Sequence, residues 1–418
     1  MHIKSILNNL QKQPRFTYGK EHLVKSRGGR ALHIWIHPRK GCKPICSGCF
    51  QKRSGYDHLD TRFFEFVPLW AIAVFFVYAP RRVDCPRCGV TVELMPWATG
   101  KSPITTTYAW FLASWAKSLS WTETARRFRA SWHTVFSAVA MAVAWGRAHA
   151  HYDGIASIGV DEFAWKKRHK YLTLVYQIDR GCTRLLWVGQ DRTKATFDRF
   201  FDWLGDARTK AIRFVASDMW KAFLNVVAAR APDAVHVLDR FHVAALFSKA
   251  VDQVRREDAR RLRQRGDKVT LTKTRWLLLK GRHRLDEEQE GRLAALLRVN
   301  LRVMRAYLLK ETFGRFWGYV SPYWAGRFLD SWTRMAIASR IKPVQKLART
   351  LRGHRGLLLN WFKARNAFSQ GATEGMNNKA RGTTKRAYGF RSYDHAEIAL
   401  FHTLGALPEP DWVAHRFW

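Results

Sequence analysis

Two aspartates sit where apolar runs meet polar turns, and their spacing suggests phosphoryl-transfer chemistry. Asp161 interrupts the apolar run 155–163, and Asp218 follows the run 211–216. Carboxylates brought within a few ångströms repel unless a cation neutralises them. Their oxygens suit Mg²⁺, which fills its remaining positions with water and substrate phosphate. Two such ions about 3.5–4 Å apart activate a hydroxyl nucleophile and stabilise the leaving oxygen. Mn²⁺ is expected to substitute for either ion. A third carboxylate is expected from a later helix, and Glu374 in the segment GATEGMNNKAR (371–381) is the leading candidate. Neighbouring acids compete less well. Strand alternation turns Glu162 to the face opposite Asp161. Asp179 and Asp191 read as turn residues at strand ends, and Glu397 reads as a surface charge on an amphipathic helix.

A second constellation is sulfur. Cys46 and Cys49 form one Cys-x-x-Cys pair, and Cys85 and Cys88 form another after 35 intervening residues. Four thiolates match the tetrahedral preference of Zn²⁺. Such a site staples strands too short to bury a core of their own. Candidate strands at 61–66 and 69–78 lie between the pairs, as in a zinc ribbon, although the spacer exceeds the usual ribbon interval. Free structural thiols or a redox pair are the alternatives, and Cys42 is a second choice for the place of Cys46. Cys182 reads as a small buried apolar residue. The opening MHIKSILNNLQKQPRF lacks the apolar stretch of a secretory signal, so a disulfide framework is not expected. The longest apolar run, 66–79, is interrupted by Pro68 and is too short to span a bilayer.

These groups need elements to hold them. Runs at 155–163, 171–178 and 184–189 read as three strands, followed by a helix (Lys194–Leu204), a strand (211–216), a helix (219–230) and a strand (234–238). That mixed α/β order is that of the ribonuclease H-like fold, in which the first and fourth strands lie side by side and bring Asp161 to Asp218. Upstream, Ser120-Trp-Thr-Glu123 is a capping box that starts a helix at Trp121. Ser131 can cap a second helix from Trp132 to about Ala148, with 104–119 as a supporting helix. The arrangement is that of a helix-turn-helix, with Arg126, Arg127, Arg129 and His133 toward phosphates or bases. An ordinary helical hairpin is the alternative.

Charge fits that reading. The 418 residues carry 72 Lys+Arg against 33 Asp+Glu, a net charge of +39, with 47% hydrophobic and 14% aromatic residues. This chain can bury a core, so it is no disordered polycation. The excess excludes most metabolic enzymes and calls for a polyanion. Basic residues run along the whole chain, which favours nucleic acid over a membrane surface. One basic cluster is Arg255, Arg256, Arg260, Arg261, Arg263, Arg265 and Lys268. A second is Arg282, His283 and Arg284. A third follows Glu374: Asn377, Asn378, Lys379, Arg381, Lys385 and Arg386, expected to line a DNA backbone or a solvated face. Gly382 and Gly389 are expected to break or end the helix there.

The blocks CSGC…RRVDCPRCG, GVDEFAWKKRHKYLTLVYQID, FVASDMWKAF, HVLDRFHV and ATEGMNNKARGTTKRAYGFRSYDHAEI cover most of the chain. Together they resemble insertion-sequence transposases of the DDE class, the ISL-three family in particular. The resemblance implies that Asp161, Asp218 and Glu374 form a metal-binding triad. It also implies a zinc-binding N-terminus and recognition of terminal inverted repeats and target DNA. Joining two element ends implies a homodimer or larger assembly, and the expected location is cytoplasmic, on the nucleoid. Asp239 and His242, in Leu-Asp-Arg-Phe-His, resemble a family motif near the site. They either support the ligands or position DNA, or form an ordinary helix cap with a salt bridge. The 155 residues between Asp218 and Glu374 imply a helical insertion. The expected organisation is a basic, poorly ordered segment at 1–35, a zinc module at 36–100, a helix-turn-helix at 101–152, a first core part at 153–240, the insertion at 241–365 and a last core part at 366–418. A non-catalytic DNA-binding regulator and a nuclease without strand transfer are the rival functions.

Overall fold

The computed structural model describes residues 3–26, 29–166, 170–267, 269–299, 301–364, 367–368 and 371–414. It divides into two units. One comprises residues 1–150, 385–388 and 394–418; the other comprises 151–384 and 389–393.

The first unit begins with α1 (Ile3–Leu10), β1 (Phe16–Ser26), β2 (Gly29–Pro38), β3 (Ser54–His58), β4 (Arg62–Leu69), β5 (Ile72–Tyr78), β6 (Arg81–Cys85) and β7 (Gly89–Val92). A four-stranded sheet has the order β1-β2-β5-β4. Period-two alternation puts Leu32, Ile34 and Ile36 of β2 on the same core as Phe64, Phe66, Val74 and Phe76. Trp97 closes this core edge-on against Phe16 at 4.9 Å and Tyr78 at 5.3 Å. Two expectations change here. The segment 1–35, expected to be poorly ordered, supplies α1, β1 and most of β2. The strands between the cysteine pairs join this aromatic-rich sheet instead of a ribbon. The cysteines sit in a separate small sheet, β3-β6-β7. Large side chains such as Phe64 and Phe76 gain far more burial against Trp97 than the small cysteine sheet offers.

Three helices follow: α2 (Thr106–Ser118), α3 (Trp121–Arg127) and α4 (Trp132–His149). Their starts fall where the side-chain caps are. Thr105 caps α2, Ser131 caps α4, and Ser120 and Glu123 form a reciprocal capping box on α3.

The second unit contains β8 (Ser157–Lys166), β9 (Lys170–Asp179), β10 (Cys182–Gln190), α5 (Lys194–Leu204), α6 (Asp206–Ala211), β11 (Phe214–Ser217), α7 (Lys221–Arg230) and β12 (Val235–Leu238). These agree with the expected strands and helices, apart from the short extra helix α6. The sheet order is β10-β9-β8-β11-β12, antiparallel across the first three strands and parallel across the last three. Ile158, Val160, Val175 and Leu186 pack under Phe197, Phe200 and Phe201 of α5 and Phe223 of α7.

A helical run follows, as expected for the insertion: α8 (Arg240–Gln264), α9 (Arg275–Leu279), α10 (Glu287–Arg298), α11 (Arg302–Gly314), α12 (Pro322–Ala338), α13 (Lys342–Gly353) and α14 (Arg355–Lys363). Phe247, Phe313 and Trp332 lock its helices with ring separations of 4.5–5.4 Å. After it come α15 (Ala372–Arg386), α16 (Tyr393–Leu404) and α17 (Asp411–Ala414). α15 continues unbroken through Gly382, and the turn comes at Tyr388 and Gly389, which both have positive φ. Among the described residues no helix is long and apolar enough to cross a membrane.

Candidate active site and cysteine cluster

Strand register brings the acids together. β11 pairs in parallel with β8 through Ala216↔Gly159, and with β12 through Ser217↔Leu238. Continuing both ladders sets Asp218 level with Asp161 on one side and Asp239 on the other, just past the carboxyl ends of β11 and β12 and midway along the longer β8. Parallel strands put their ends on one edge, which is where open α/β sheets present their sites. Asp161 is buried, and burial pushes its carboxyl up to about 6, against the lowering influence of His242. Burial also raises Asp218, whose Oδ1 accepts the Trp220 N–H at 2.9 Å.

Asp239 caps α8 by accepting the Phe241 N–H at 2.7 Å, so His242 is fixed one turn into that helix. The imidazole lies between two carboxylates, Nδ1 at 3.5 Å from Asp239 and Nε2 at 3.8 Å from Asp161. These are ion-pair separations; neither meets hydrogen-bond geometry, and Nδ1 is buried without a hydrogen-bond partner. The Asp239 carboxylate, with Asp161 and Asp218 behind it, raises His242 to about 9 despite its burial. A protonated imidazole therefore offsets part of the repulsion among three acids.

The helix α15 lies over this edge. Gly159 makes room for it, because a Cβ there would meet Thr373 Oγ1 at 2.5 Å. Asn377, expected to face DNA, instead points inward. It is 4% exposed, donates its amide to Asp161 Oδ2 and accepts the Tyr176 hydroxyl at 2.8 Å. Glu374 is half-buried in the first turn, one turn before Asn377. Among the described residues, Asp161, Asp218 and Glu374 do not form a set with all ligand atoms within 4.8 Å of one another; the four cysteines do. Sequence reasoning missed Tyr176 and gave Asn377 the wrong face. The available signal was the three-residue interval from Glu374 to Asn377, which shares one side of a helix.

The competing acids have other partners. Glu162 pairs with Arg192 at 2.9 Å, Asp179 accepts from Gln177 at 2.7 Å, and Glu397 pairs with Arg147 at 2.9 Å. Asp191 occupies a turn at φ 74°. Among the basic candidates, Arg126, Arg127, Arg129 and His133 are exposed around α3 and the start of α4. Arg260 and Arg261 are exposed on α8, as are Lys379, Arg381 and Lys385 on α15. Arg255 is largely covered in an ion pair with Asp252 at 2.8 Å, and Arg256 pairs with the same acid at 3.3 Å. Arg386 donates to the Ser118 carbonyl at 2.9 Å. Lys268 lies outside the described residues.

The cysteine cluster stands at the small sheet. Cys46 and Cys85 are buried, and Val83 is the other buried apolar residue beside them. The Gly48 N–H points at Cys46 Sγ at 3.4 Å, and Arg53 lies 3.8 Å from Cys49 Sγ. Burial alone would raise Cys85, but backbone N–H groups of Arg87 and Cys88 outweigh it and bring the thiol down to about 6. Cys88 is exposed at the residue level, yet local desolvation and the neighbouring sulfurs of Cys46 and Cys85 raise its thiol to about 12. Cys42 is not in the set; its carbonyl accepts from Arg81. Four converging sulfurs with N–H groups aimed at them fit a tetrahedral thiolate-binding ion.

A family model described as transposase, for the ISL3 (ISL-three) group, matches residues 158–400, from β8 through α16. The chain is 30% identical to the transposase for insertion sequence element IS1001 of Bordetella parapertussis, over 88% of this chain and 90% of the relative. It is 32% identical to the transposase for insertion sequence element IS1557 of Mycobacterium tuberculosis, in strains CDC 1551 and H37Rv, over 87% of this chain and 86% of the relative. With the sheet edge and its covering helix inside the span that the family model matches, and relatives at 30–32% identity over most of the chain, the chain belongs to the ISL-three family of insertion-sequence transposases.

Proposed function

We propose that this transposase cuts and joins DNA at Asp161, Asp218 and Glu374, on a ribonuclease H-like unit. The observation that carries the reading is the alignment of Asp161 with Asp218 on adjacent parallel strands, both raised by burial. Two carboxylates held this way seek a divalent cation, and Glu374 enters from the helix docked on Asp161 through Asn377. When bound, two Mg²⁺ or Mn²⁺ ions supply Lewis acidity to the attacking and leaving oxygens of a phosphodiester. The protein's own part is to hold Asp161 rigidly and to limit acid–acid repulsion through His242. No serine or tyrosine nucleophile is needed, since water and then the freed 3′-hydroxyl attack phosphorus.

The cysteine cluster is assigned to structural Zn²⁺, and α2–α4 to a helix-turn-helix that binds the terminal inverted repeats. Exposed Arg126, Arg127, Arg129 and His133 support that assignment. Two ends joined in one reaction call for at least a homodimer. Asp218→Asn tests the chemistry with a labelled oligonucleotide carrying the element's end. Strand cleavage and joining are expected to disappear while end binding persists. Cleavage that survives with Mg²⁺ sinks the triad, and a wild-type protein that binds without cutting is a regulator. Cleavage without joined products identifies a nuclease.

A further inference from the structure

The helical run of the second unit holds a cavity of about 190 Å³ that the cleavage chemistry does not use. It is lined by Lys273, Trp276, Lys280, Glu288, Gln289 and Arg292, with buried Leu277 as its apolar floor. Trp317, Trp332 and Trp361 in the same run are buried, whereas Trp276 is 66% and Trp324 56% exposed; of these, Trp276 lines the cavity. The Arg275 guanidinium lies 5.0 Å from its ring, and Arg275 is itself tied toward Asp252 at 3.8 Å. The indole is thus held from its own helix while it lines the cavity. Lys280 is steadied by Gln289 at 3.1 Å, and Arg292 by the Thr272 carbonyl.

The chemistry of this wall is selective. An aromatic plane takes another flat ring by stacking, and cations beside it take phosphate. Three cations face Glu288 as the lone acid in the lining. The volume falls below the roughly 300–1,000 Å³ of sites for drug-sized ligands, and suits one heterocycle. We infer that this cavity captures a single nucleotide turned out of the DNA duplex. Its base stacks on Trp276, its phosphates lie against Lys273, Lys280 and Arg292, and Gln289 and Glu288 meet the polar edge of the base. Turning a base out of the stack costs a few kcal/mol, and a mismatched or already unpaired base is the easiest to take. The inference rests on DNA as the substrate of the family and is independent of the acidic triad, since capture occurs whether or not the strand is cut.

The test uses the full chain and a duplex with one unpaired 2-aminopurine, compared with the fully paired duplex. Wild type is expected to quench the probe and to prefer the bulged duplex. Trp276→Ala is expected to lose the quenching and about tenfold in affinity for the bulged duplex, in line with one lost stack. Trp276→Phe is expected to keep much of both, and Lys280→Ala to weaken binding without abolishing the quench. An unchanged unfolding midpoint confirms that the variants fold. Quenching that persists in Trp276→Ala overturns the proposal, as does an equal affinity loss on paired and bulged duplexes. Binding of free 2-aminopurine nucleotide with no preference for the bulged duplex overturns DNA as the occupant. A result in which Asp218→Asn still quenches but no longer cuts keeps this inference separate from the catalytic one.

Discussion

Asn377 ties the Glu374 helix to Asp161, and the tie is buried on both sides. Tyr176 orients the amide so that its NH₂ faces the carboxylate. Asn377→Ala leaves Asp161 Oδ2 and the Tyr176 hydroxyl unpaired in a dry site, at a cost of about 1–3 kcal/mol. The expected result is a lower unfolding midpoint and a higher Mg²⁺ requirement for cleavage, while Asn378→Ala, exposed on the same helix, changes neither. Asn377→Asp sets a second carboxylate against Asp161 and is expected to be worse than Ala. Calorimetry and a metal titration of cleavage check both. The parity of β8 was legible beforehand: Asp161 faces in and Glu162 pairs outward with Arg192. The inward turn of Asn377 was not, because amide, lysine and arginine side by side read as one polar face until the helix is set on Gly159.

At the scale of elements, the β3-β6-β7 sheet is the weakest on its own. Its core is Val83 and cysteines, too little apolar surface to offset the entropy of ordering three short strands. Metal binding is then folding free energy for this sheet. The expected content is one Zn²⁺ per chain by mass spectrometry of the native protein. Cys85→Ser or a strong chelator is expected to remove the ion and lower the first thermal transition. An unchanged transition with no zinc bound would leave the cluster as plain thiols. The pairing of the two Cys-x-x-Cys segments was readable from spacing. Which strands they staple was not: β4 and β5 intervene in sequence yet belong to another sheet, drawn by the aromatic core around Trp97.

For the molecule as a whole, the net charge of +39 is spread over both units rather than gathered in one patch. Part of it is spoken for internally: Arg255 and Arg256 pair with Asp252, Arg355 with Asp330, and Arg147 with Glu397. The exposed remainder on α3, α8 and α15 is the part available to phosphates. Neutralising six to ten phosphates makes binding fall about 10³–10⁵-fold between 50 and 200 mM salt. A salt titration of duplex binding is expected to show that slope. Arg260→Ala with Arg261→Ala is expected to flatten it, whereas Arg255→Ala, already paired, is expected to leave it nearly unchanged.

Sequence alone determined what local chemistry dictates. Caps at Ser120 and Ser131 start helices where they stand, alternation assigns strand faces, and paired cysteines announce a thiolate cluster. Each depends on neighbours a few residues away, so the chain carries the information in one dimension. Tertiary structure decided the rest. The ladder between β8, β11 and β12 levels Asp161, Asp218 and Asp239 from positions as much as 78 residues apart. Close approach at Gly159 turned Asn377 inward, and competition between two cores took β4 and β5 from the cysteines. The indole of Trp276 was left at a basic cavity while Trp317, Trp332 and Trp361 were buried. These outcomes follow from which surfaces bury most together, a property of contacts distant in sequence that no local pattern records.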